Sequence, residues 1–195
     1  MKRLFLAVLF IIGATFTYAA PFGLKMGMTI DEIADACNGI APKYYERDIY
    51  FITPSKKHPL FETYGTFIDA KYGLYKIRCV SAEITTGDDG AELKRYFENA
   101  LKTISKQYGT PDIIERPNSD AIDNDWFQKL RNGKISYKAL WTNSEKIKNL
   151  NLDKIELKII SDDRNYSLIN NIGAIVLNYD FQNATSAEDE QDSVF

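Results

Sequence analysis

The spacing of apolar residues changes repeatedly along this chain of 195 residues, and each change of period marks a different kind of element. Residues 4–14 form an unbroken apolar run behind Lys2 and Arg3. From Ile30 the apolar positions fall at Ile33, Ala34 and Cys37, the stripe of a helix. Thr29-Ile30-Asp31-Glu32 supplies a capping box and Asn38-Gly39 a stop, so a short helix is predicted over 29–37. The period then drops to two. Over 43–53, Tyr45, Ile49 and Phe51 are expected inward, and Tyr44, Glu46, Asp48 and Tyr50 outward. Residues 60–70 and 74–86 predict two further strands hinged at Tyr72-Gly73, with Cys79 facing the core.

A longer helix follows. Leu93, Tyr96, Phe97, Ala100, Leu101, Ile104 and Tyr108 keep the helical period, Gly109 ends it, and Pro111 prevents continuation. Its predicted span is 90–108. Residues 111–132 are polar and irregular. Three alternating runs come next: Ile135, Tyr137, Ala139 and Trp141; Ile155, Leu157 and Ile159; Ile175, Leu177, Tyr179 and Phe181. Alternation with polar partners is the mark of an antiparallel sheet buried on one face. The expected fold is therefore α+β, a six-stranded, mainly antiparallel sheet with two helices on one face, in the order αβββαβββ. Residues 20–183 are expected as one domain, divisible into halves 20–87 and 88–183. Residues 184–195, with Glu188, Asp189, Glu190 and Asp192, are expected as a disordered acidic tail.

The first 19 residues change the picture most. A basic start, an apolar run and small residues at Thr17 and Ala19 form a secretory signal, with cleavage expected after Ala19. The run is shorter than the about 20 apolar residues of a spanning helix, so no lasting membrane anchor is expected. No cysteine follows the cleavage point, which argues against lipidation. The signal is of bacterial length, and the product is expected in the periplasm or the medium. Cleavage takes two of the 24 basic residues and none of the 27 acidic ones. That mild acidity argues against a nucleic-acid partner, which calls for a basic stripe. Cys37 and Cys79, the only cysteines, are a candidate disulfide in an oxidising compartment; two buried thiols are the alternative.

The residues around the first helix resemble a known pattern. Gly27-Met28-Thr29-Ile30-Asp31-Glu32-Ile33, with Gly39 and Pro42, is similar to the opening of BamE-like (SmpA/OmlA) envelope domains, small α+β units with helices on a three-stranded antiparallel sheet. Two such units in tandem resemble β-lactamase inhibitory protein. The resemblance implies a protein-binding fold. It also has departures: the lipidated cysteine is absent, and the Gly39 to Pro42 spacing differs.

Little chemistry is legible. The single histidine, His58, lies in a Lys-Lys-His-Pro loop without a nucleophile elbow and is expected as a solvated surface residue. One histidine and two inward cysteines do not make a metal site. Asp120, Asp123 and Asp125 lack the glycine and distal glutamate of a calcium loop. Asn165 and Asn183 match glycosylation acceptors, read as coincidence in a bacterial protein. No cofactor is expected. The leading expectation is an exported, non-enzymatic module that binds a protein partner through Tyr44, Tyr50 and the loop at Trp126, since aromatics among charges are common at interfaces. A small-molecule or lipid carrier and a carboxylate-based enzyme are the alternatives.

Overall fold

The computed structural model describes residues 20–117, 125–161 and 171–192, and the side chains of all of these except 191 and 192. The expected signal segment, Asp120, Asp123 and the Asn165 sequence motif lie outside the described residues.

Helix α1 (Ile30–Ala36) opens on the capping box: the Thr29 hydroxyl accepts from the Glu32 amide at 3.3 Å, and the Glu32 carboxylate accepts from the Thr29 amide at 2.8 Å. Asn38 and Gly39, both at positive φ, turn the chain out. The segment expected as one strand over 43–53 is a hairpin, β1 (Lys43–Glu46) and β2 (Ile49–Phe51). Arg47 sits at φ 49 between them, and the hairpin is pinned where the Ile68 amide and the Tyr75 hydroxyl donate to Asp48. β3 (Phe61–Asp69) and β4 (Gly73–Ser81) follow, then β5 (Ile84–Thr86). Helix α2 (Ala91–Tyr108) leads to β6 (Ile113–Glu115), α3 (Trp126–Arg131), β7 (Lys138–Trp141) and α4 (Glu145–Lys148). The long strands β8 (Leu152–Ser161) and β9 (Asn171–Phe181) precede α5 (Ala184–Asp192).

All nine strands join one antiparallel sheet in the order β1-β2-β3-β4-β9-β8-β7-β6, with β5 also on β9. This corrects the six-stranded αβββαβββ fold with two helices. The residues expected as three strands per half divide into more, and five α-helices form among the described residues. The halves 20–87 and 88–183 share the sheet, because β4 and β5 both pair with β9.

One face carries the main core. Ile77, Cys79, Leu177, Tyr179, Ile155 and Leu157 line up across β4, β9 and β8 and meet Leu93, Phe97, Leu101 and Ile104 of α2. The other face is polar and is ordered by charge. Asp180 lies between Lys76, at 3.5 Å, and Lys154, at 2.9 Å. Asn178 accepts from Arg78 and donates to Glu156, which pairs with Lys158. Asn178 and Asp180 are buried beneath these longer side chains, so β9 is covered on both faces.

The residues expected as a disordered tail begin as α5. Ala184 and Ala187 pack on Tyr75, while Glu188 and Glu190 reach Lys76 at 3.2 Å and Lys71 at 2.8 Å. Two small apolar contacts and matching lysines dock a segment whose composition alone reads as solvated.

Candidate functional site

The hairpin brings four aromatic rings to the edge of the sheet. Tyr44 is opposite Tyr50 with ring centroids 5.5 Å apart, and Tyr45 meets Phe51 at 5.0 Å. Neighbouring strand residues point to opposite faces, so one ring pair stands on each face of the hairpin. Tyr44 and Tyr45 are 60% and 58% exposed and Phe51 36%. Tyr50 is half-buried against the core. The expected outward face is thus met at Tyr44 and not at Tyr50, while Tyr45 and Phe51, expected inward, are exposed. A single strand buries one face, whereas here β1 is exposed throughout and only Ile49 and Tyr50 of β2 are half-buried. A bulge between Tyr44 and Glu46 accompanies the change. Among the described strands β1 pairs only with β2, which leaves its outer edge without a ladder.

Trp126 does not belong to this surface. It is 2% exposed, stacked edge-on to Tyr137 at 5.9 Å and seated over Gly90, where a Cβ would overlap its ring. Lys94 covers the ring at 4.5 Å. The expected interaction role at Trp126 is thus replaced by a packing role. The polar stretch before it hid the fact that Trp126, Phe127 and Leu130 form the buried side of α3.

Cys37 and Cys79 are both buried, and both are free thiols. The candidate disulfide is not formed. Cys37 caps α1 and Cys79 lies mid-strand in β4, and facing one core does not bring two sulfurs together. Burial pushes both thiols up from their ordinary value, which keeps them protonated and inert.

His58 is not the solvated residue its loop suggests. It is half-buried, its ring 5.2 Å from Phe61, and its Nδ1 accepts from the Leu60 amide at 3.2 Å. The Tyr64 hydroxyl accepts from the His58 amide at 2.9 Å, which fixes the loop to β3. Burial lowers the imidazole from its ordinary value. Beside this loop lies an open groove of about 530 Å³. Its walls are residues 20–23, residues 55–59 and the C-terminal half of α2; Leu177 and Tyr179 form its floor. Phe22 closes one end, with its ring 5.1 Å from Tyr64 and 6.0 Å from Tyr179. Burial holds the Tyr108 phenol up to about 12, so its hydroxyl is neutral there. Nothing in the sequence beyond the Lys-Lys-His-Pro run points to this groove, because its walls come from four separate segments.

Four described carboxylates are held below their ordinary value. Hydrogen bonds from Thr29 lower Glu32, those led by Thr86 lower Glu92, and the Thr142 and Asn143 amides lower Asp112. For Glu156 burial acts upward, yet Lys158, Asn178 and Lys154 together leave it below its ordinary value. None of these four is the raised acid that proton donation near neutral pH calls for. Among the described residues no three His, Cys, Asp or Glu side chains come together to hold a metal ion. Asp125, the one described member of the expected acidic trio, pairs with Lys129 at 2.7 Å. Asn183 donates to the carbonyls of Tyr72 and Leu74 and holds α5 in place. Among the described residues no helix is long and apolar enough to cross a membrane. Comparison with family models, curated proteins and solved structures finds no match to this chain.

Proposed function

We propose that this chain is an exported, non-enzymatic module that binds a protein partner at the β1 edge, where an extended segment of the partner adds a strand. The observation that carries the reading is the pair of aromatic contacts, Tyr44–Tyr50 and Tyr45–Phe51, on the two faces of an edge hairpin, with Tyr44, Tyr45 and Phe51 exposed. An unpaired strand edge offers main-chain hydrogen bonds, and side chains alternating above and below it offer specificity. Aromatic rings are the residue type most enriched at the energetic centres of interfaces. Edge strands normally avoid such exposure, because it invites pairing with other chains. Here β1 keeps two exposed tyrosines between Lys43 and Glu46, charges that hold off indiscriminate association.

The test is capture from the envelope and medium of an exporting cell, run in parallel with wild type and Tyr44→Ala/Tyr45→Ala. A protein recovered by wild type and lost with the variant supports the reading. Recovery of the same proteins by both, or of none, rejects it.

A further inference from the structure

The charged side chains described in the lining of the groove beside His58 are lysines. Lys25, Lys56 and Lys57 stand at its rim, and among the described residues no Asp or Glu lines it. The chain as a whole has more acidic than basic residues. The two neighbouring depressions are each lined by Glu62 and Glu83. Below the rim the surface is apolar: Phe22, Phe61, Ile104 and Leu177 lie beneath it, with the Tyr108 hydroxyl and Gln107 as polar points. The volume falls within the range of small-molecule sites.

We infer that this groove binds a single-chain anionic amphiphile, a long-chain carboxylate, with its chain on the apolar floor and its headgroup among the three lysines. Charge complementarity selects the anion, and the apolar depth selects a chain over a free ion. Cleavage after Ala19, as the signal reading expects, would set an α-ammonium at the same mouth, because Ala20 is part of its lining. The site is separate from the β1 edge and stands or falls independently of the partner proposed there.

Titration calorimetry of the purified protein, with ligands below their micelle concentrations, tests this. Dodecanoate is expected to bind saturably near one equivalent, dodecyltrimethylammonium about tenfold more weakly, and acetate not at all. The charge term is modest because the three lysines are exposed. Lys56→Glu/Lys57→Glu is expected to weaken dodecanoate about tenfold. Thr103→Trp, which fills the groove from an exposed position on α2, is expected to abolish binding. Location is read from His58, whose ring protons are the only histidine resonances and should shift with dodecanoate. Equal affinity for the cationic amphiphile, unchanged binding by both folded variants, or a silent His58 would overturn the inference.

Discussion

The buried core and the β1–β2 edge of the sheet use the same aromatic residue types in opposite ways. In the core, Tyr64, Tyr108, Trp141 and Tyr179 are at most 4% exposed. Their polar atoms are satisfied: the Trp141 indole donates to the Gly109 carbonyl at 2.7 Å, and the Tyr64 hydroxyl joins the His58 loop. At the edge, Tyr44 and Tyr45 are more than half exposed, and each meets one ring across the hairpin, Tyr50 and Phe51 respectively. A buried aromatic stabilises the fold through the area it removes from water, and an exposed pair contributes much less. Rings kept at the edge therefore call for a reason outside the fold, which is why the hairpin carries the functional proposal.

The contrast can be broken by mutation. Trp141→Ala should cost about 3–5 kcal/mol in urea unfolding, as expected for a fully buried ring. Tyr45→Ala should cost under about 1 kcal/mol, as for most surface substitutions. Comparable losses at the two positions would show that the hairpin rings belong to the core. Gly90→Ala comes next, at about 2 kcal/mol or more, because a left-handed backbone (φ 70) and an overlap with Trp126 act together. A wild-type-like Tm would remove Trp126 from its assigned place. Thr29→Ala should lose about 1 kcal/mol with the capping box.

A smaller effect is expected from pH. His58 is neutral in both folded and unfolded chains above its ordinary value of 6.5 and contributes no pH dependence there. Below 6.5 the unfolded chain takes up the proton first, since burial depresses the folded imidazole, and protonation at Nδ1 ends its acceptance from Leu60. Stability should therefore decline as pH falls from 6.5 through the lower folded value. His58→Gln should show a shallower slope between pH 7.5 and 5.5 in urea midpoints; an unchanged slope would place the titration elsewhere.

What the sequence disclosed follows how local each signal is. The 90–108 expectation meets α2 within a residue, and the capping box forms as read, because both depend on neighbours within a few positions. Strands β3, β8 and β9 were legible for the same reason. The 43–53 run was not, since Arg47 takes a left-handed turn without the glycine or asparagine that would announce it. β6, α3 and α4 have three to six residues each, too few to show a period. Burial of Trp126 required a glycine 36 positions away, Gly90, to leave room for the ring. Of the three expected interaction residues, Tyr44 alone stands fully at the surface. The groove at His58 was not legible, because its charge pattern exists only once Lys25, the 55–59 loop and the C-terminal half of α2 line one depression.

The most direct test of the β1 edge is site-specific photocrosslinking in the exporting cell. A photoreactive phenylalanine analogue replaces Tyr45 in one variant and Lys106, exposed on α2, in another. One discrete adduct is expected from position 45, none from position 106, and loss of the adduct when Tyr44→Ala is added. No adduct at position 45, equal adducts at both positions, or an adduct that survives Tyr44→Ala would contradict it.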